Sequence, residues 1–148
     1  MRWTVVPFGK YEGKTLPEII VRDLDWFFWM APKFYGRLAK EAQDLKRKVR
    51  AIKIPNRRRK KLEVEYRYEM DGAFCGFAFV DATSWRYSRW SIRLPYLDLS
   101  RALRRKYDKR AGRIVISDFR NHYFGRHKRL TKERCEEFFS NDRNFFSR

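Results

Sequence analysis

The chain has 148 residues and a formal net charge of +18, from 36 Lys+Arg against 18 Asp+Glu. With 43% apolar and 18% aromatic residues it is not a disordered polymer, and its length holds one domain with a proper core or two very small ones. The charge is +10 over residues 1–60 and +8 over residues 61–148, so the folded body itself is cationic. That points to a polyanion partner, nucleic acid ahead of an anionic membrane or an acidic protein. Cys75 and Cys135 show no CxxC spacing and read as buried free thiols in a reducing cytosol. No signal peptide is visible and no apolar run approaches membrane-spanning length, so a cytoplasmic protein with no membrane partner is expected.

Residues 2–8 read as a short strand, placed at an edge by Pro7. The stretch VPFGKYEGKTLPEII (Val6–Ile20) follows, with Lys10 and Lys14 each preceded by glycine. Glycines let a backbone approach a phosphate, and two lysines ahead of a helix N-terminus add charge. The same residues also make a plain glycine turn feeding a capped helix. From Gly9 the run G-K-Y-E-G-K-T is one residue short of a P-loop, so nucleotide hydrolysis does not fit. Thr15 and Glu18 fit a capping box, and Leu16, Ile20, Leu24, Phe27 and Phe28 predict one helix ending before Pro32.

A second, basic amphipathic helix is predicted over 33–52, with Phe34, Leu38, Ala42, Leu45, Val49 and Ile52 on its apolar face. After Pro55-Asn56 come five consecutive cations, Arg57, Arg58, Arg59, Lys60 and Lys61. This divides the chain into an N-terminal helical unit (1–54), a basic linker (55–61) and an α+β unit (62–148), which together also make one compact domain. A hairpin over 62–81 is the clearest element, turning at Asp71-Gly72. Its alternation sets Val64 opposite Phe79, Tyr66 opposite Phe77 and Tyr68 opposite Cys75, with Glu63, Glu65 and Glu69 on a solvated face.

Trp85, Arg86, Arg89 and Trp90 interleave aromatics with cations, the pattern by which single-strand binders stack bases and hold phosphates. A third strand falls in this segment, then a short helix from Asp98 to Tyr107. RIVISDF (113–119) reads as a strand, with a helix as the alternative. Thr131 to Phe139 reads as a last helix. Tyr123 to Glu133 weakly echoes the first motif and supplies a second basic turn with Arg126, Lys128 and Arg129. The class is α+β, a small antiparallel sheet on the hairpin with several packed helices.

Catalytic constellations are weak. Asp81 sits where a strand-borne exonuclease carboxylate would, but Thr83 replaces the expected Glu, and a turn role suits Asp81 better. His122, His127, Asp118 and Cys135 lack zinc-finger spacing. No catalytic residue, metal or cofactor is assigned.

Residues 5–30 resemble the small domain at the C-terminus of exonuclease X-type enzymes. They are also similar to the quorum-sensing-regulated virulence factor family of short bacterial and phage proteins. Phe8, Gly9, Lys10, Tyr11, Gly13, Lys14 and Leu16 carry the first half of the motif. Leu24, Asp25 and Trp26 carry the second, while Asp23 stands where an aromatic is usual. The resemblance implies an accessory, nucleic-acid-related module. The expectation is therefore a non-enzymatic, weakly sequence-specific DNA- or RNA-binding protein, with phosphates held by Lys10, Lys14, Arg57, Arg58, Arg59 and Lys60. The alternatives are an effector that binds a host protein directly and a small metal-dependent nuclease. The oligomeric state is not indicated.

Overall fold

The computed structural model describes residues 2–55, 61–103, 108–126 and 129–147. Within them an α+β architecture forms, five α-helices with one three-stranded and one two-stranded antiparallel sheet. Residues 2–8 form no strand. Val5 makes only an isolated antiparallel bridge to Thr15, and the backbone N–H of Thr4 turns instead to the carboxylate of Glu41.

The predicted first helix is two helices, α1 (Leu16–Ile20) and α2 (Leu24–Met30). Ile19 O accepts the N–H groups of both Arg22 (3.1 Å) and Asp23 (2.7 Å), closing α1. The Asp23 carboxylate then accepts the Trp26 N–H (3.2 Å) and starts α2 as its N-cap. The apolar periodicity survives this break, which is why it does not reveal it. Helix α3 (Gly36–Lys48) is shorter than the 33–52 prediction, because Ala31–Lys33 make a 3-10 turn and Phe34 and Tyr35 are extended. It buries Leu38, Ala42 and Leu45.

Strand β1 (Ile52–Lys53) pairs with β5 (Tyr96–Leu97), and β2 (Leu62–Tyr68) lies between β3 (Phe74–Asp81) and β4 (Ile92–Leu94). Val64 faces Phe79 and Tyr66 faces Phe77, as the alternation predicts, but a bulge after Arg67 sets Tyr68 opposite Phe74. The turn is wider than two residues. Gly72 N–H bonds Glu69 O (2.8 Å), and Glu69 N–H bonds Ala73 O (2.8 Å). The slip leaves Cys75 exposed rather than buried, while Cys135 is buried as expected.

Residues 113–119 lie in a helix, α4 (Lys109–Tyr123), capped by Asp108 through the Ala111 N–H (3.1 Å). Its β-branched run reads as strand, yet Ala111, Val115 and Phe119 form one buried helical face. Helix α5 (Lys132–Ser140) starts at Thr131, whose hydroxyl caps Arg134 N–H. In place of a 98–107 helix, Leu99–Ala102 form a 3-10 turn, with residues 104–107 outside the described ones.

The C-terminal helices close back on the N-terminal unit. Trp3 Nε1 donates to Ser140 Oγ (3.0 Å), Thr15 Oγ1 to Glu136 (2.9 Å), and Lys48 Nζ to Phe139 O (2.8 Å). One buried apolar cluster runs from Trp3 to Phe145. Among the described residues no helix is long and apolar enough to cross a membrane.

Glu65 departs most from the sequence expectation. It is 1% exposed, not on a solvated face, and it accepts from Arg93 Nε (2.9 Å), Arg67 Nε (2.9 Å) and Tyr87 N–H (3.2 Å). Arg93 also donates to Ser84 O (2.9 Å) and Trp85 O (2.7 Å), so this pair moors the loop after β3. Burial pushes the Glu65 carboxyl up, but the hydrogen bonds from Arg67, Tyr87 and Arg93 together outweigh it and leave its pKa lowered. A carboxylate with a depressed folded pKa stabilises above its unfolded value and loses that contribution as pH falls through the folded one. Glu65→Ala should cost about 3–5 kcal/mol in a denaturant titration at neutral pH, because Arg93 is left buried and unpaired. That difference from wild type should shrink once the pH drops below the ordinary glutamate value of 4.5.

Candidate nucleic-acid interface

The Gly-Lys loop is held by its own backbone. Val6 N–H bonds Lys14 O (2.8 Å), Gly13 N–H bonds Val6 O (2.8 Å), Glu12 N–H bonds Gly9 O (3.2 Å) and Lys14 N–H bonds Tyr11 O (3.0 Å). Gly9 and Gly13 have φ of +79° and +82°, and a Cβ at either would meet nothing within 4 Å. The glycines therefore serve left-handed backbone geometry. The N–H groups of residues 12–14 are thus engaged within the loop itself. Thr15 N–H donates to Glu18 (3.1 Å), which satisfies the start of α1.

The two lysines differ. Lys10 reaches Asp23 (3.4 Å), an exposed contact that leaves the Lys10 side chain 61% accessible. Tyr11 also donates to Asp23 (2.6 Å), and burial, reinforced by that carboxylate, pushes the Tyr11 phenol well above its ordinary range. Lys14 is exposed and lines neither of the cavities described next.

Positive charge also gathers on α4 and the turns beside it. A cavity of about 280 Å³ between the α1–α2 turn and α4 is lined by Arg22, Arg113, Arg120 and Arg126, with Ser117 and Asn121. Val21, Ile116 and Phe124 also line it. No carboxylate lines it, and among the described residues none of the four arginines forms an ion pair. Arg113, Ser117 and Arg120 recur on one face of α4 because of their helical spacing. Reading 113–119 as a strand hides that face, whereas the helical alternative would have exposed the triplet.

A second cavity of about 210 Å³ adjoins the first and shares Arg22 and Arg113 with it. Lys10 and Lys109 extend its basic wall, and Asp23 and Asp25 also line it. Lys109 to Arg120 on α4 makes a basic stripe about 16 Å long at about 1.5 Å per residue. Asp25 is 4% exposed, and its Oδ1 has no hydrogen-bond partner among the described residues. Burial and the nearby charge of Asp23 push the Asp25 carboxyl up, against the pull of Lys109 and an Asp108 N–H. An orphaned buried acceptor of this kind costs about 1–3 kcal/mol.

Of the residues the sequence nominates, Lys10 and Arg126 thus reach one continuous basic face, joined by the unforeseen Arg22, Arg113 and Arg120. Arg129 is exposed but outside both cavities. Arg57, Arg58, Arg59, Lys60 and Lys128 lie outside the described residues.

Trp85, Arg86, Arg89 and Trp90 occupy the connection from β3 to β4, away from both cavity linings. Trp85 is 97% exposed, although Arg93 grips its carbonyl. Arg89 stacks over Trp90 and Arg67 over Tyr87, each with its guanidinium 4.5 Å from the ring centroid. Asp81 acts in the adjoining turn, accepting from the Thr83 N–H (2.9 Å) and hydroxyl (2.7 Å). His122 packs against Phe79, with ring centroids 4.6 Å apart. Among the described residues no group of three His, Cys, Asp or Glu side chains is arranged to hold a metal ion.

Comparison with known protein-family models, curated proteins and solved structures finds no match. The resemblance of residues 5–30 rests on its motif alone.

Because Trp85 stands in water on a moored loop, it should dominate the tryptophan emission that iodide quenches. Trp85→Phe should remove most of the quenchable signal and leave the denaturation midpoint unchanged. A quenchable fraction unaffected by the substitution would contradict this placement.

Proposed function

We propose that the protein binds nucleic acid through the arginine-lined groove formed by the α1–α2 turn, α4 and the turn after it. The observation that carries this reading is the convergence of Arg22, Arg113, Arg120 and Arg126 on one cavity without a carboxylate. Guanidinium groups offer planar forks that match phosphate oxygens, and such contacts are worth more than those of solvated point charges. Ser117 and Asn121 add neutral donors of the kind that bond phosphate and sugar. The overall charge of +18 would draw a polyanion toward the groove from a distance. The accessory nucleic-acid-related module implied by the Gly-Lys motif is consistent with this.

Recognition of this kind is phosphate-dominated and weakly sequence-specific. The Trp85 loop would contribute base stacking where bases are unpaired. Its exposed ring also favours a second reading, in which the loop anchors a protein partner, since tryptophan is enriched at binding hot spots. Capture of a defined, stoichiometric partner from nuclease-treated lysate, lost in Trp85→Ala, would favour that effector reading.

The groove is tested by titrating oligonucleotide binding against salt. If four arginines contact phosphates, log K should fall against log salt with a slope of about −3. Arg113→Ala and Arg120→Ala should each weaken binding by about tenfold and flatten the slope by about 1, uniformly across sequences. Binding insensitive to salt, or unaffected by both substitutions, would overturn the assignment.

A further inference from the structure

Strands β3 and β4 both run antiparallel to β2, which lies between them. The connection over residues 82–91 is therefore a crossover that passes across one face of the sheet. It takes the face that carries Glu65, opposite the side on which Val64 and Tyr66 enter the core. Tyr87 N–H reaches the Glu65 carboxylate (3.2 Å), and Arg93 holds Ser84 O and Trp85 O. Further along, Ser91 N–H bonds Ser88 O (3.1 Å) and the Ser88 hydroxyl accepts Trp90 N–H (3.2 Å). The backbone of the crossover is thus tied down at both ends and to the sheet beneath it.

Its rings are nevertheless left in water. Nine large hydrophobic side chains stand exposed among the described residues, and four of them, Trp85, Tyr87, Trp90 and Ile92, fall within eight positions. A fixed backbone that presents clustered apolar surface marks a binding site, because the ordering cost is already met before the ligand arrives. The charges around the rings define the ligand. From residue 82 to residue 97 the chain has three arginines and no carboxylate. Glu65, the acid beneath the crossover, is buried between Arg67 and Arg93. Two of the exposed rings carry a guanidinium on one face, Arg67 over Tyr87 and Arg89 over Trp90. A purely apolar partner would be met better by rings without cations laid on them. Flat rings joined by phosphates call for both, and that is the chemistry of a strand whose bases are unpaired.

We propose that this crossover is a single-strand platform, on which unpaired bases stack against Trp85 and Trp90 while Arg86 and Arg89 hold the adjoining phosphates. The inference rests on the nucleic-acid reading of the protein and adds which form is preferred. In a duplex the bases are already paired and stacked on one another, so only their phosphates are open to the crossover. The arginine-lined groove on α4 reads phosphates in either form.

The test compares the affinity of the intact protein for a single strand, its duplex and an abasic strand of the same length, at fixed salt. The single strand is supplied as DNA and as RNA, and both should show the preference, because a base offers its face in either. The wild type should bind each intact strand at least about tenfold more tightly than the duplex or the abasic strand, as expected for one or more base–aromatic stacks. Trp85→Ala and Trp90→Ala should each weaken single-strand binding by about tenfold and leave duplex binding unchanged. Trp85→Phe keeps a ring and should retain most of the preference. Arg113→Ala should weaken single strand and duplex alike. Equal binding of intact strand, abasic strand and duplex by the wild type, with a normal salt slope, would overturn the platform and leave the phosphate groove standing. So would a preference that persists in both alanine variants, or one confined to a single sugar. Binding of none of the three would overturn both.

Discussion

The arrangement depends on how few carboxylates the chain has and where they are committed. There are half as many acidic as basic residues, and those described work largely inside the fold. Glu18, Asp23, Asp98 and Asp108 accept N–H groups at the starts of helical segments, Glu41 accepts Thr4 N–H, and Asp118 accepts Phe77 N–H (3.0 Å). Glu65 is sequestered between Arg67 and Arg93. Each carboxylate satisfies a buried or terminal donor that would otherwise be costly. The consequence is electrostatic: among the described residues no ion pair involves Arg22, Arg113, Arg120 or Arg126. Their mutual repulsion opposes folding, and it is tolerated because one large aromatic-rich core holds the elements together.

That core also explains how residues distant in sequence come to share a groove. Phe138 contacts the rings of Phe119, Tyr123, Phe124 and Phe145, with centroids 5.4–5.7 Å apart, which fixes α5 against α4 and the C-terminal turn. The contacts of Ser140 with Trp3 and of Glu136 with Thr15 fix α5 against the N-terminal unit. Lys48, almost fully buried, adds a polar clamp through Phe139 O, Asp44 (3.2 Å) and Asp142 (3.4 Å). Arg22 on one side and Arg126 on the other are therefore carried to the flanks of α4 by packing that involves neither of them. The basic groove is a property of the tertiary structure, and no contiguous stretch of sequence contains it.

This is also why the sequence was legible in some places and not in others. The hairpin register was readable because strict alternation permits one pairing that buries Val64, Tyr66 and Phe77 together and packs Phe79 beside them. It failed only past Arg67, where a bulge rather than a pattern decides. The α1–α2 break was invisible because Asp23 acts through a cap, and the apolar residues keep helical spacing across it. Helix α4 was obscured because Ile114, Val115 and Ile116 favour strands locally, while burial of Ala111, Val115 and Phe119 imposes a helix. Glu65 looked solvated by alternation alone. Nothing local shows that Arg93, twenty-eight positions on, turns back to meet it.

The Gly-Lys motif takes on a different role in this light. The N–H groups of Glu12, Gly13 and Lys14 bond within the loop, and its side chains act on the turn that follows α1. Tyr11 and Lys10 both seize Asp23, and Asp23 caps α2. That cap starts α2 and fixes the turn that carries Arg22, and it sets Asp25 two residues on in α2, against Gly112 of α4. The motif thus braces the turn that carries Arg22. It also accounts for the coexistence of Asp23 and Asp25 with so many cations. One carboxylate builds the turn, and the other lies buried where α2 meets Gly112 of α4.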